Sequence, residues 1–224
     1  MRTVVKICGI TRGQDAHVAL SAGADWLGFI LKGASPRLVT PQAARAIVDG
    51  LASNGDPAGL GARPRAQAPV TVGVMVEPTP EEALRLAREA GVTRVQLHGV
   101  DPDRWPADFP LPAAFAVPVA DDGALMAPLP PRRDLVLLDT ADAMRAGGTG
   151  RPFPWFVAAT VAAEFQVMVA GGLDSGNVGE MLAEVRPFGV DASSRLESAP
   201  GLKDPDRVRR FVAAVRQWDA SAHD

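Results

Sequence analysis

The sequence predicts a closed (β/α)8 barrel, an α/β fold, and three observations carry that expectation. Eight short β-rich apolar runs alternate with polar or glycine-rich turns and amphipathic helical patterns. Dividing 224 residues among eight such units leaves about 28 per unit, a lean version of the ~250-residue barrel. The first run ends in Cys8-Gly9-Ile10-Thr11 with no Gly-x-Gly-x-x-Gly. A doubly wound open sheet, the structural alternative, normally carries that fingerprint after its first strand.

The strand expectations, in order, are residues 4–10, 26–31, 70–76, 94–98, 114–119, 135–139, 167–172 and 189–194. Most are apolar nearly throughout, as strands covered on both faces must be. Between several of them the i, i+3, i+4, i+7 spacing of a helix appears. Ala16, Ala19, Leu20 and Gly23 fit it, as do Ala44, Ile47, Val48 and Leu51, and Val178, Met181, Leu182 and Val185. The last helix presents Val208, Phe211, Val212 and Val215, with Arg207, Arg209, Arg210 and Arg216 interspersed for solvent. Thr79-Pro80-Glu81-Glu82 reads as an N-cap, a proline at the first helical position and a capping-box glutamate. Thr40-Pro41 opens a helix in the same way. Residues 101–108 and 121–129 are short and proline-bearing, so shortened helices are expected around strands four to six. The Gly/Ala/Pro-rich stretch 53–69 lacks apolar periodicity and reads as a mobile surface loop away from the strand C-termini, within a single domain spanning 1–224.

Composition narrows the function. With 47% hydrophobic and 22% charged residues the chain is ordinary for a soluble globular protein. A net charge of −3 argues against nucleic acid or an anionic membrane as partner. One cysteine makes no internal disulfide, which suits a reducing cytoplasm. The first residues hold too short an apolar run for a signal peptide, and no stretch approaches the ~20 apolar residues that span a bilayer. Oligomeric state, monomer or homodimer, is left open.

In a barrel of this kind the chemistry sits at the C-terminal ends of the strands. There the first strand places Lys6 and Cys8 on one face, since side chains two apart point the same way. A cation beneath a thiol favours the thiolate, although a lone cysteine is also a small buried hydrophobe. Ser35-Pro36-Arg37 follows strand two, where an arginine alone reads as a surface residue. Gln96-Leu97-His98-Gly99 ends strand four, and His98 is read first as a satisfied strand-end histidine. Asp139 ends an apolar run at the rim, a turn cap or an acid–base group. Gly147-Gly148-Thr149-Gly150 follows strand six. Gly171 and Gly172 after strand seven, with Ser193 and Ser194 after strand eight, suit the phosphate cradle common to such barrels, and Arg195 adds charge. No metal-ligand cluster and no nicotinamide or flavin fingerprint appears. The residues point to cofactor-free proton transfer on a phosphorylated small molecule.

Taken in order along the chain, these pieces, with Ala170-Gly171-Gly172-Leu173, Asn177-Val178 and Gly189-Val190-Asp191, resemble the phosphoribosylanthranilate isomerase family of tryptophan biosynthesis. The resemblance implies a (β/α)8 barrel that needs no cofactor or metal. It implies an Amadori rearrangement of N-(5-phosphoribosyl)anthranilate to 1-(2-carboxyphenylamino)-1-deoxyribulose 5-phosphate. It further implies Cys8 as general base, Asp139 as general acid, Arg37 on the anthranilate carboxylate, and Gly172, Ser193 and Ser194 on the phosphate. His98 and Gly148 support. Two positions depart from the family pattern: Arg195 stands where glycine is common, and Pro154 where an aspartate is common before the tryptophan.

The closest rival is the barrel isomerase of histidine biosynthesis, including versions that accept both substrates. That family uses an aspartate where Cys8 stands. A non-catalytic binder of a phosphorylated ligand is the rival from another class. Barrel closure adds one geometric expectation: strand eight neighbours strand one, so the buried Lys6 should meet Asp191, the acidic residue of strand eight.

Overall fold

Eight parallel strands follow one another around a closed barrel in chain order, a TIM barrel. In this computed structural model residues 2–53, 68–132, 134–141 and 153–222 are described. The strands are β1 Val4–Ile7, β2 Trp26–Lys32, β3 Val70–Val76, β4 Arg94–His98, β5 Ala113–Val119, β6 Leu135–Thr140, β7 Val167–Val169 and β8 Gly189–Ala192. A short antiparallel pair, β9 Glu197–Ala199 and β10 Leu202–Lys203, follows β8. The helices are α1 Gly13–Ala22, α2 Pro41–Ser53, α3 Pro80–Ala90, α4 Trp155–Ala162, α5 Val178–Val185 and α6 Pro205–Ser221.

Strand alternation divides the interior into two apolar layers. Val5, Ile7, Leu27, Phe29, Val95, Leu97, Phe115, Val117, Val136, Leu138 and Val190 point outward and pack beneath the helices. Trp26, Val72, Val74, Ala114, Ala116, Leu135, Leu137 and Met168 point inward with Cys8 and fill the barrel. The seam closes where β1 pairs with β8, in the register Val4 with Gly189, Val5 with Val190, Lys6 with Asp191 and Ile7 with Ala192. Below that seam α6 is tied to the start of the chain. Asp219 accepts from Thr3 N at 3.0 Å and Thr3 Oγ1 at 2.7 Å, and Arg216 donates to Thr3 O and to Asp25.

Sequence signals set the helix ends. Thr79 accepts from Glu82 N at 3.2 Å with Pro80 at the first helical position, and Asp204 accepts from Asp206 N and Arg207 N at the start of α6. Among the described residues α4 begins after Pro154 without a side-chain cap.

Five sequence expectations need correction. Residues 101–108 hold only the 3₁₀ turn Pro102–Arg104, capped by Asp101. Residues 121–129 form no helix: Gly123 takes φ 88°, the chain doubles back, and Val119 makes an antiparallel bridge to Leu125. A glycine in that region and prolines at 128, 130 and 131 outweigh the Ala-Leu-Met-Ala composition between them. The runs 4–10 and 167–172 leave β geometry early because Gly9, Gly171 and Gly172 take φ values of 73°, 89° and 66°, a region open to glycine and not to a continuing strand. The run 189–194 leaves the ladder after Ala192, where Ser193 departs to ψ −89°. Residues 54–67 of the expected loop lie outside the described residues.

Candidate active site

The column at the heart of the mouth begins with Lys6. Its ammonium is buried and meets Asp191 Oδ2 at 2.5 Å, the contact that barrel closure implied. Burial works against the Lys6 charge, but Asp191 and then Cys8 outweigh it and hold its pKa above the ordinary value. Among the described residues Asp191 Oδ1 is buried with no hydrogen-bond partner. Removing one member of such a pair strands the other charge. Asp191→Asn should therefore cost about 3–5 kcal/mol, read as a fall in the urea midpoint at unchanged slope. It should also lower the Cys8 pKa, read from the pH dependence of thiol alkylation, because the Asp191 charge raises it.

Cys8 lies one residue past β1 and is 7% exposed. Its N–H donates to Ala192 O at 2.9 Å, fixing it against β8. Burial pushes the thiol up, against the pull of Lys6 and Lys203, with Asp191 adding to the rise. This corrects the expectation of a thiolate held by Lys6: burial outweighs the two lysines, and the Asp191 charge works in the same direction as burial. Room for the sulfur comes from Gly28 on β2. A Cβ there would lie 2.8 Å from Cys8 Sγ and 3.2 Å from both Cys8 Cα and Lys6 Cε. Gly28→Ala should lower kcat about 10–100-fold by displacing the thiol, at a stability cost of about 1–3 kcal/mol. Steady-state kinetics and urea denaturation check the two parts.

Asp139 ends the buried run of β6 and is half-buried. Its Oδ1 accepts from Thr140 N at 2.9 Å. Burial, reinforced by the Asp191 charge, raises its pKa from 3.8 to about 7, with the Thr140 hydrogen bonds and Lys6 opposing. Gly171 makes the close packing possible: a Cβ there would meet Thr140 Oγ1 at 2.8 Å and Asp139 Oδ1 at 3.3 Å. Cys8 and Asp139 therefore share one electrostatic environment, since both feel Lys6 and Asp191.

His98 on β4 is 2.8 Å from the buried Gln96 amide through its Nε2. Burial, followed by the Lys6 charge, lowers it to about 4, so the ring is neutral near pH 7. A neutral ring facing an amide donor is assigned the tautomer with Nε2 as acceptor.

The opposite side of the mouth carries a network that sequence reasoning missed. Arg37 donates from Nε and Nη2 to the two carboxylate oxygens of Glu197, each at 2.8 Å. Lys203 Nζ meets Glu197 Oε1 at 2.8 Å and Ser193 O at 3.2 Å. Ser193 Oγ donates to Cys8 O at 3.1 Å. Burial works against the Glu197 charge, but Arg37 and Lys203 hold its pKa below the ordinary carboxylate value. The one available signal was the scarcity of lysine: Lys203 is among three in the chain, and it is buried.

On the phosphate side, Asn177 pins the Gly171-Gly172 turn by donating from Nδ2 to Gly172 O at 2.9 Å. Ser194 begins the 3₁₀ turn Ser194–Leu196 and is exposed, while Ser193 is half-buried beside Cys8. Arg195 lies 3.7 Å from Asp174. Gly148 and its glycine-rich stretch lie outside the described residues.

The chain matches the family model described as N-(5'phosphoribosyl)anthranilate (PRA) isomerase over residues 5–214. A Rubrobacter xylanophilus protein named N-(5'-phosphoribosyl)anthranilate isomerase is 41% identical over 219 residues, covering 95% of this chain and 98% of its own. A Pelobacter propionicus protein of the same name is 37% identical, covering 95% of both chains. The crystal structure of phosphoribosyl anthranilate isomerase from Thermus thermophilus superposes with a TM-score of 0.76 at 35% identity, covering 97% of this chain and 99% of that one. A crystal structure of such an isomerase in complex with reduced 1-(o-carboxyphenylamino)-1-deoxyribulose 5-phosphate gives a TM-score of 0.73 at 28% identity, with 96% and 99% covered.

Proposed function

The chain belongs to the N-(5'-phosphoribosyl)anthranilate isomerase family, and from that premise we propose that Cys8 and Asp139 are the base and acid of the isomerisation. The reaction belongs to tryptophan biosynthesis. The observation that carries the assignment is the pairing at the mouth: a buried thiol and a carboxyl group raised to about 7, both coupled to Lys6 and Asp191. A carboxyl group that is still substantially protonated near neutral pH suits general-acid work.

The Asp139 carboxyl donates its proton to the furanose ring oxygen as the C1–O bond breaks, leaving a protonated Schiff base between C1 and the anthranilate nitrogen. The Cys8 thiolate then takes the C2 proton. The C–H electron pair forms the C1–C2 double bond, and the iminium electrons return to nitrogen, giving the enolamine. Loss of the C2 hydroxyl proton and protonation of C1 yield the aminoketose, with no net change in protons or electrons. Arg37 holds the anthranilate carboxylate, and the Gly172 turn with Ser193 and Ser194 receives the phosphate. The backbone of that turn and the start of the 3₁₀ segment supply N–H donors of the kind phosphate takes.

The decay of anthranilate-type fluorescence on adding purified protein to freshly formed substrate tests the reading. Cys8→Ala and Asp139→Asn should keep binding the reduced product analogue while losing turnover. Loss of binding together with turnover would assign these residues to the fold of the pocket instead.

A further inference from the structure

We propose that Glu197 is a positioning residue for substrate recognition: it clamps one edge of Arg37 so that the opposite edge faces the carboxylate of the arylamine. The inference rests on the reading of Arg37 as the carboxylate anchor.

Arg37 is held from three directions. Its backbone N–H donates to Ser35 Oγ at 3.1 Å. Its stem lies across Gly9, where a Cβ would come within 2.5 Å of Arg37 Cδ and 3.0 Å of Ser193 Oγ. Its guanidinium is bound through Nε and Nη2 to both oxygens of Glu197. A guanidinium has five N–H groups. With Nε and one Nη2 hydrogen engaged, Nη1 and the second Nη2 hydrogen form the end face, which can take a second carboxylate bidentately. The Arg37 side chain is 19% exposed, so part of it reaches solvent.

Glu197 is itself fixed. Its side chain is 3% exposed, and Lys203, with a fully buried side chain, holds Oε1 from the far side. The three charges sum to a single positive one, so Glu197 removes half the cationic field without removing the anchor. The same carboxylate leads through Lys203 to Ser193 O, and Ser193 Oγ reaches Cys8 O. Glu197 thus places the carboxylate anchor, while Cys8 keeps its own tie to β8 through its N–H to Ala192 O. A merely structural ion pair has no reason to discriminate between substrates with and without a carboxylate.

The test compares N-(5-phosphoribosyl)anthranilate with the carboxyl-free N-(5-phosphoribosyl)aniline, using wild type, Glu197→Gln and Arg37→Ala. Glu197→Gln keeps the shape but turns an amide toward one of its two cations. Its KM for the anthranilate substrate should rise about tenfold or more, with kcat changed less than about threefold, the pattern of lost uniform binding. For the aniline substrate kcat/KM should stay within about twofold of wild type. Arg37→Ala should erase the preference for the carboxylated substrate. If Arg37→Ala leaves that preference intact, the carboxylate reading of Arg37 fails, and this inference with it. If Arg37→Ala erases it while Glu197→Gln changes neither substrate or weakens both equally, the positioning role alone is overturned. Should Glu197→Gln not fold, Glu197→Asp carries the same comparison, since it keeps the charge and withdraws the carboxylate by one methylene.

Discussion

Cys8→Ala is expected to lower kcat by about 10²–10⁴-fold, the range for loss of a group that moves a proton in the transition state. The substitution removes one sulfur from a site where Cys8 packs beside Gly28 and Lys6. Little apolar area is involved, so the melting temperature should move only slightly while turnover falls. Serine should not restore the activity, because its hydroxyl ionises far above the thiol. The position of the thiol matters as much as its presence. Burial holds it protonated, and Lys6 and Lys203 pull the other way, so the reactive thiolate is a minority form of the free enzyme. Stopped-flow or steady-state fluorescence on folded Cys8→Ala measures the loss. Turnover within about threefold of wild type would remove Cys8 from the base role.

Asp139→Asn should cost a similar factor in kcat, about 10²-fold or more, and it should at the same time stabilise the protein above neutral pH. The pKa of Asp139 is raised from 3.8 to about 7 in the folded state, chiefly by burial and next by Asp191. Its ionisation therefore opposes folding. That opposition is absent below about pH 4, grows between about 4 and 7, and is complete above 7. Asparagine keeps an oxygen for Thr140 N and never ionises. Because the side chain is only half-buried and partly screened by water, the gain at pH 8 should be about 1–3 kcal/mol, vanishing near pH 4. Urea unfolding at the two pH values checks the sign. The rate profile gives an independent reading. With Asp139 near 7 and Cys8 above its ordinary value, the competent state, acid protonated and thiol ionised, is the minor tautomer of the singly protonated enzyme. For such a pair kcat/KM rises through about pH 7 and falls only beyond the thiol titration. In Asp139→Asn the limb near 7 should disappear, and residual activity should climb with the thiol alone.

The barrel was legible because its strands are apolar on both faces, and the Lys6–Asp191 contact because a closed barrel makes β8 the neighbour of β1. Both follow from chain order. Glu197 and Lys203 were not legible: they meet because β9 and β10 pair antiparallel after β8, and no periodicity in the seven residues from Glu197 to Lys203 encodes that reversal. The segment 121–129 misled through its composition, since the helix formers Ala124–Ala127 follow a glycine whose φ of 88° turns the chain back. The Cys8 environment was half legible. Sequence places a cation under the thiol, but burial and the opposing field of Asp191 depend on what surrounds the pair in space.

The β1–β8 seam also sets a timetable for synthesis. Lys6 and Asp191 are 185 residues apart, so at about 5–20 residues per second a ribosome needs roughly 10–40 s to supply the partner after the lysine has been made. Throughout that interval the nascent chain holds β1 without its β8 neighbour and an ammonium without its counter-ion. Water must solvate that ammonium until the last strand emerges. A lysine at this position therefore delays burial of the first strand until closure can be completed, and a chain that stalls before Asp191 is left open along the edge that carries the thiol.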